Sequence, residues 1–94
     1  MPDTHAARRS RLASLLAERD LDAALVTRLV NVRYLTGLAS SNAALLVTAT
    51  GEAVLATDGL YATQARADAA DVELVVERGV ATALVKRAHA DGLR

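Results

Sequence analysis

The sequence lacks cysteine and has few aromatic residues. None of the 94 residues is cysteine, which excludes a disulfide scaffold, a thiolate zinc site and a cysteine nucleophile. Aromatic residues make up 2% of the chain although hydrophobic residues reach 52%, so a core must be built from Ala, Val and Leu. Such a composition favours one small α/β domain, and we expect a reducing, cytoplasmic location.

The chain also lacks an excess of positive or negative charge, and it lacks long apolar runs. Eleven basic residues balance eleven acidic ones, so no net field draws the chain to nucleic acid or to an anionic membrane. The first twenty residues contain no continuous apolar segment long enough for a signal peptide or a membrane span. We therefore expect a soluble, unprocessed protein with neither nucleic acid nor a membrane as partner.

Hydrophobic periodicity predicts a mixed α/β order: helix, strand, short helix, hairpin, helix, strand, helix. A continuous apolar run at residues 23–27 is typical of a strand buried on both faces. Gly51 provides the permissive backbone that an antiparallel hairpin turn needs. The predicted elements are helices at about residues 4–19, 58–70 and 80–91, strands at residues 23–27 and 72–76, and a hairpin of residues 43–48 and 52–57.

Several residues are predicted to cap the ends of these helices. Asp3 or Thr4 can cap the first helix, and Asp58 can cap the third. Gly92 is a plausible C-terminal cap of the last helix. A further strand normally follows such a helix, so we expect the chain to be a fragment that stops before its last strand.

Few residues converge in a way that catalysis would need. His5 and His89 have no second ligand at helical spacing and are interpreted as surface residues. Asp20 and Asp22 bracket a leucine and could bind a cation or act as an acid/base pair, but a turn between helix and strand is the commoner role. We expect no catalytic residue and no metal ligand in this chain.

Other polar groups allow two interpretations each. The glycines are scattered and form no phosphate-binding loop. The polar residues 40–42 could hydrogen-bond a ligand, but a polar loop that enters a hairpin is the commoner explanation. The arginines of the first helix could grip phosphate, whereas a solvated face is the more usual arrangement.

The segment NVRYLTG, residues 31–37, places one of two tyrosines between apolar runs. Asn31 can cap a single helical turn, and Gly37 lets the chain leave it with a positive φ. Val32 and Leu35 share a face that can close the end of a sheet. Tyr34 then adds bulk to an aromatic-poor core and is expected to be at least partly buried.

The order and spacing of these segments resemble the N-terminal domain of the creatinase, prolidase and aminopeptidase P family of pita-bread hydrolases. The resemblance runs from about Arg8 to Ala65 and continues through the next strand and helix. The most specific matching segments are Leu21-Asp22-Ala23, Asn31 with Tyr34-Leu35-Thr36-Gly37, and Thr57-Asp58 with Tyr61 and Gln64-Ala65.

The resemblance implies a fold and a parent enzyme. The fold is a three-layer α/β domain with a ribonuclease H-like motif, in which helices flank a mixed sheet that includes an antiparallel hairpin. Residues 1–94 would form this accessory domain of an Xaa-Pro dipeptidase or aminopeptidase P. The catalytic pita-bread domain, whose two Asp, one His and two Glu bind a pair of divalent metal ions (manganese, cobalt or zinc), would lie outside the chain.

The resemblance also implies partners and contact residues. The domain would pack with its own C-terminal catalytic domain, help a homodimer to form and border the substrate entrance for proline-containing peptides. Asn31, Tyr34 and Tyr61 are the candidates for substrate access or subunit contact. Relatives often have Arg-Tyr where this chain has Leu60-Tyr61, which removes one possible carboxylate contact. The alternative function is a stand-alone α/β binding module without peptidase activity.

Overall fold

The computed structural model describes residues 3–92, and these form four helices and four strands. The elements follow the order predicted from periodicity. The helices are α1 (Asp3–Glu18), α2 (Leu29–Thr36), α3 (Ala62–Asp68) and α4 (Val80–Ala90), and the strands are β1 (Ala23–Val26), β2 (Ala43–Thr48), β3 (Ala53–Thr57) and β4 (Glu73–Val76).

The strands form one mixed sheet with the order β1-β2-β3-β4. β1 pairs with β2 and β2 with β3 in antiparallel fashion, whereas β3 and β4 are parallel. The predicted β2–β3 hairpin is confirmed, with Gly51 at φ 96° and its N–H donating to the carbonyl of Thr48 over 3.0 Å. α3 connects β3 to β4, because two consecutive parallel strands need a crossover connection between them.

β1 is an edge strand and none of its four residues is fully buried, so the prediction that it is buried on both faces is wrong. Its partner β2 is the strand with every residue buried, whereas Leu25 of β1 keeps 40% of its surface exposed. Both segments are short apolar runs, and such a run shows that a strand is apolar without showing how many neighbours it has. Whether a strand lies at the edge or inside the sheet depends on how many strands pair with it.

Helices cover both faces of the sheet, which gives three layers. Helices α1, α2 and α3 share one face, where their side chains meet those of the strands around Leu45, Val47 and Leu55. On the other face, α4 is the one helix among the described residues, and it packs on Ala44, Leu46 and neighbouring residues. Alanine, valine and leucine build both clusters, as the composition requires.

Leu84 fixes α4 on its face of the sheet. It is the fully buried residue of this helix and contacts the apolar cluster formed with β2 and β3. At the far end of the helix, Arg87 donates hydrogen bonds to both carboxylate oxygens of Glu73 and to Asp91. These bonds lower the pKa of Glu73 and raise the pKa of Arg87.

Most predicted helix caps are wrong in detail. α1 already includes Asp3 and Thr4, so neither precedes the helix. Asp58 lies in a turn before α3, which begins only at Ala62, and its carboxylate accepts a hydrogen bond from the N–H of Leu60. α4 ends at Ala90 with Asp91 as its C-cap, so the predicted cap Gly92 lies one residue later, where its φ is 74°.

Candidate functional site

The segment NVRYLTG belongs to a two-turn helix rather than to a single capped turn. α2 begins at Leu29, and its N-cap residue Arg28 makes no side-chain capping bond. The backbone carbonyl of Arg28 accepts hydrogen bonds from the N–H groups of Asn31 and Val32, each over 3.0 Å. The prediction that Asn31 caps the helix is therefore wrong, since Asn31 lies inside the first turn and its side chain is free to face outward.

Gly37 ends α2 in the predicted way. Its φ is 86°, and its N–H donates to the carbonyl of Arg33 over 2.8 Å. Thr36 secures the same end, because its hydroxyl donates to the carbonyl of Val32 over 2.7 Å and accepts from the N–H of Leu38 over 3.1 Å. The end of α2 is thus fixed by glycine geometry and by a buried threonine.

Basic side chains of α1 satisfy the next two carbonyls of α2. Arg8 donates to the carbonyl of Tyr34 over 2.9 Å, and Nδ1 of His5 approaches the same oxygen at 3.1 Å. Arg9 donates to the carbonyl of Leu35 over 2.7 Å. The last carbonyls of a helix lack partners within the helix and carry partial negative charge, so cations are favourable there.

Arg9 contradicts the expectation that the arginines of α1 form a solvated face. Only 7% of its surface is exposed, and its guanidinium joins the carbonyl of Leu35 to the carboxylate of Asp71. Burial is tolerated because two acceptors replace the water that the guanidinium loses. Arg9 therefore ties α1 to α2 and to the turn before β4.

Replacing Gly37 by alanine is expected to destabilise the protein more than the matched change Gly51→Ala. Both glycines have positive φ, which costs a non-glycine residue about 1–3 kcal/mol. A Cβ at position 37 would also lie 3.0 Å from Nε2 of His5, whereas nothing lies within 4 Å of one at position 51. Urea titration of both variants measures the difference, and equal losses would contradict a tight His5 contact. Adding His5→Ala to both should bring the two losses together.

Tyr34 lies outside both apolar clusters, so the prediction that it adds bulk to the core is wrong, although about half of its surface is covered. Val32 and Leu35 occupy the buried face of α2, while 52% of Tyr34 is exposed. The guanidinium of Arg8 lies over the Tyr34 ring, 4.0 Å from its centroid, in a cation–π contact. This contact holds an exposed aromatic ring in one orientation.

An open groove of about 420 Å³ is lined by residues of α1, β1 and α2. Apolar side chains from α1, β1 and α2 line it together with polar ones, and no acidic residue is among them. The lining residues are Arg8, Arg11, Leu12, Leu15, Val26, Asn31, Tyr34 and Leu35. The groove thus offers an apolar surface next to two guanidinium groups, a combination suited to an apolar group that carries a carboxylate.

The structure brings two of the three candidate residues together. Asn31 and Tyr34 both line the groove, whereas Tyr61 does not. Tyr61 lies before α3, where its hydroxyl is 2.9 Å from that of Ser41. Arg8 and Arg11 could not be identified as groove residues from the sequence, because their position depends on how α1 packs against α2.

The polar loop before β2 is held by its own hydrogen bonds. Asn42 donates from Nδ2 to the carboxylate of Asp58 over 3.2 Å and to the carbonyl of Arg78 over 3.0 Å. The hydroxyl of Thr57 donates to the carbonyl of Asn42 over 2.7 Å. These bonds favour the structural interpretation of residues 40–42 over a ligand site.

Within residues 3–92, no group of His, Asp or Glu side chains is arranged to hold a metal ion. Asp20 has φ 56° in the turn after α1, in keeping with a role in chain reversal, and His89 is exposed on α4. None of the helices in this part of the chain is both long and apolar enough to cross a membrane.

Known proteins resemble this chain in both sequence and fold. The sequence model of the Creatinase/Prolidase N-terminal domain matches residues 8–93. The N-terminal domain of the cytoplasmic peptidase PepQ from Mycobacterium tuberculosis H37Rv is 50% identical, with a TM-score of 0.89, and the match covers 93% of this chain and 68% of that one. A comparison with curated proteins finds no match.

Two structures of streptococcal proteins are also similar. An Xaa-Pro aminopeptidase from Streptococcus pyogenes is 32% identical with a TM-score of 0.88, over 98% of this chain and 70% of that one. Aminopeptidase P from Streptococcus thermophilus is 28% identical with a TM-score of 0.81, over 95% and 70%. The mixed sheet flanked by helices is the fold that the sequence resemblance implied. The chain belongs to the Creatinase/Prolidase N-terminal domain family.

Proposed function

We propose that this chain is the non-catalytic N-terminal domain of an Xaa-Pro dipeptidase or aminopeptidase P-like metallohydrolase. In that protein it contributes to dimerisation and to the substrate entrance for proline-containing peptides. The family match and the peptidase relatives support such a parent. The observation that carries the proposed role is the groove between α1 and α2, where Tyr34 is exposed yet held by Arg8.

The groove has the features of a contact surface. Tyrosine and arginine are the residues on which protein contacts most often depend, because they combine apolar area with hydrogen-bonding groups. Arg8 holds the ring of Tyr34, so little conformational entropy remains to be lost when a partner covers it. Asn31 stands on the same rim and provides both a donor and an acceptor.

The chemistry of the groove also suits the proposed substrate class. A peptide that ends in proline combines an apolar ring with a terminal carboxylate. Leu12, Leu15 and Val26 provide apolar surface, and Arg8 and Arg11 provide cations beside it. Tyr61 is a second candidate contact, at the separate polar loop where it meets Ser41.

Catalysis belongs to another part of the proposed parent. A C-terminal pita-bread domain would bind divalent metal through its own carboxylates and histidine, and residues 1–94 would form the accessory domain before it. The parent would act in the cytoplasm, as the description of the mycobacterial relative says of that peptidase. The first test is the reading frame after Arg94, which should encode two Asp, one His and two Glu in the family's order.

Tyr34→Ala in the parent protein is expected to weaken the dimer and to lower kcat/KM for Xaa-Pro dipeptides by about tenfold, equivalent to about 1.4 kcal/mol. Stability should change by less than about 1 kcal/mol because the side chain is half exposed. Sedimentation velocity and a manganese-activated dipeptidase assay measure the two effects.

Tyr34→Phe is the matched control, since it keeps the ring over Arg8 and removes only the hydroxyl.

The 94-residue chain alone should show no turnover of Xaa-Pro dipeptides or creatine with manganese, cobalt or zinc. A parent without peptidase activity or metal ligands would favour the stand-alone binding module. If an active parent kept the same dimer strength and the same kcat/KM after Tyr34→Ala, the groove would have no part in dimerisation or in substrate access.

A further inference from the structure

A second open cavity, also of about 420 Å³, lies beside the end of α2. This α2-end pocket shares Arg8 and Tyr34 with the groove described above, but its other lining residues are different. The lining residues are His5, Arg8, Val30, Arg33, Tyr34 and Gly37. The pocket therefore has basic side chains from two helices, and no acidic residue is among those that line it.

Helical spacing brings these basic side chains to one place. His5 and Arg8 are three positions apart on α1, and Val30 and Arg33 are three positions apart on α2. Residues at this spacing are neighbours on the surface of a helix. Because α1 packs against α2, the two strips border the same cavity.

Arg33 is not needed to complete the end of α2. The carbonyl of Tyr34 already accepts a hydrogen bond from Arg8 over 2.9 Å. The carbonyl of Leu35 accepts one from Arg9 over 2.7 Å. In the described part of the chain, the guanidinium of Arg33 makes no hydrogen bond or ion pair. Its donors are therefore available to a ligand.

Arg8 and His5 are held in position without a ligand. Both are half-buried, and both contact the carbonyl of Tyr34. The stacking of Arg8 on the ring of Tyr34 restricts it further, so little side-chain entropy remains to be lost on binding. A guanidinium has five N–H donors, and the bond to one carbonyl leaves others for an anion.

Two acidic residues near His5 line a different cavity and have partners of their own. Asp68 and Asp71 line that cavity together with His5. The carboxylate of Asp68 accepts a hydrogen bond from Gln64 over 3.2 Å, and that of Asp71 pairs with Arg9. The guanidinium groups of the α2-end pocket therefore keep their positive charge uncompensated.

We infer that the α2-end pocket binds the phosphate group of a small phosphate monoester, with Arg8 and Arg33 as its cationic partners. A phosphate monoester carries up to two negative charges and three acceptor oxygens, which suits donors that arrive from two helices. A carboxylate has a planar pair of oxygens that one guanidinium fork can satisfy. Val30 is 66% exposed and provides, with the ring of Tyr34, apolar surface for the organic group of the ester.

Titration of the 94-residue chain with phenyl phosphate at low salt, followed by two-dimensional NMR, tests this inference independently of any peptidase parent. Saturable shifts are expected at the amides of Arg33 and Gly37. Arg33→Gln should weaken binding by at least about tenfold, because it removes charge-assisted hydrogen bonds. The variant should keep the fold, since Arg33 is exposed.

Arg66→Gln is the matched control. It removes the same charge from an exposed arginine of α3 that lines neither the groove nor the α2-end pocket, and it should change the affinity by less than about twofold. Equal weakening by the two substitutions would show attraction to overall charge alone and would overturn the inference. The absence of saturable shifts at Arg33 and Gly37 would overturn it as well.

Two further ligands distinguish the chemistry of the bound group. Benzoate has the same ring with a carboxylate, and it should bind at least about tenfold more weakly than phenyl phosphate because it offers fewer acceptors and less charge. Inorganic phosphate lacks the organic group, and weaker binding of this ion supports an ester as the ligand. Benzoate binding as tightly as phenyl phosphate would overturn the assignment to phosphate, and inorganic phosphate binding as tightly would overturn the assignment to an ester.

Discussion

Replacing Leu84 by alanine is expected to lower the free energy of unfolding by about 3 kcal/mol, within the range of about 2–5 kcal/mol found for buried leucines. Leu84 is 0% exposed and lies among Leu46, Val54 and other residues of the apolar cluster under α4. This face of the sheet has one helix in the described part of the chain, so nothing else can move in to fill the cavity. A small domain has few other contacts to offset such a loss.

Urea unfolding monitored by circular dichroism measures this effect. Val85→Ala is the matched control, because it truncates the neighbouring residue of the same helix at a half-exposed position. We expect a loss of less than about 1 kcal/mol for that variant. Similar losses for the two variants would contradict the orientation of α4 described above.

Replacing Arg9 by leucine is expected to cost about 2–3 kcal/mol, the second large effect. Leucine can fill the apolar part of the site, but the carbonyl of Leu35 then loses a buried donor. A buried polar group without a partner costs about 1–3 kcal/mol. The contact among α1, α2 and the turn at Asp71 is lost as well.

Asp71→Asn separates the two bonds that Arg9 makes. Asp71 is half exposed, and ion pairs near solvent contribute roughly 0–1 kcal/mol. We therefore expect Asp71→Asn to cost less than half as much as Arg9→Leu in the same urea titration. If the two variants cost the same, the ion pair and not the bond to the carbonyl of Leu35 would be the stabilising contact.

The number, type and order of the elements follow from the sequence because they depend on local patterns. Alternating or continuous apolar runs separated by Gly51 predict the hairpin, and helical spacing predicts α1 and α4. Both signals act within a dozen residues. The cap at Gly37 was predictable for the same reason, since a positive φ is a local requirement that glycine meets.

Apart from the helix caps, the errors concern which segments pack together and which residues become buried. Nothing near Arg9 in the sequence shows that Asp71, 62 residues away, will receive its guanidinium. The edge position of β1 depends on which strands pair, and the exposure of Tyr34 depends on Val32 and Leu35 taking the buried face of α2. Asparagine is a common N-cap residue, but α2 begins three residues before Asn31 would allow, because the carbonyl of Arg28 already accepts the first hydrogen bonds of the helix.

The candidate site was predictable only in part. The motif that carries the family resemblance identified Asn31 and Tyr34, and the structure brings both to one groove. The cations beside them come from α1, and the arginines of that helix look alike in the sequence although one is buried and another stacks on a ring. Only the packing of two helices distinguishes them.

The anchoring of α1 by Arg9 has a consequence for synthesis on the ribosome. Arg9 leaves the exit tunnel well before Asp71, because 62 positions separate them and translation proceeds at about 5–20 residues per second. For several seconds the guanidinium can therefore bond the carbonyl of Leu35, 26 residues away, but not the carboxylate of Asp71. The nascent chain can meanwhile assemble the meander of β1, β2 and β3, whose contacts are local. The contact of α1 with the turn before β4 therefore forms late although α1 is translated early, and a chain released before residue 71 keeps the bond of Arg9 to α2 but lacks its ion pair.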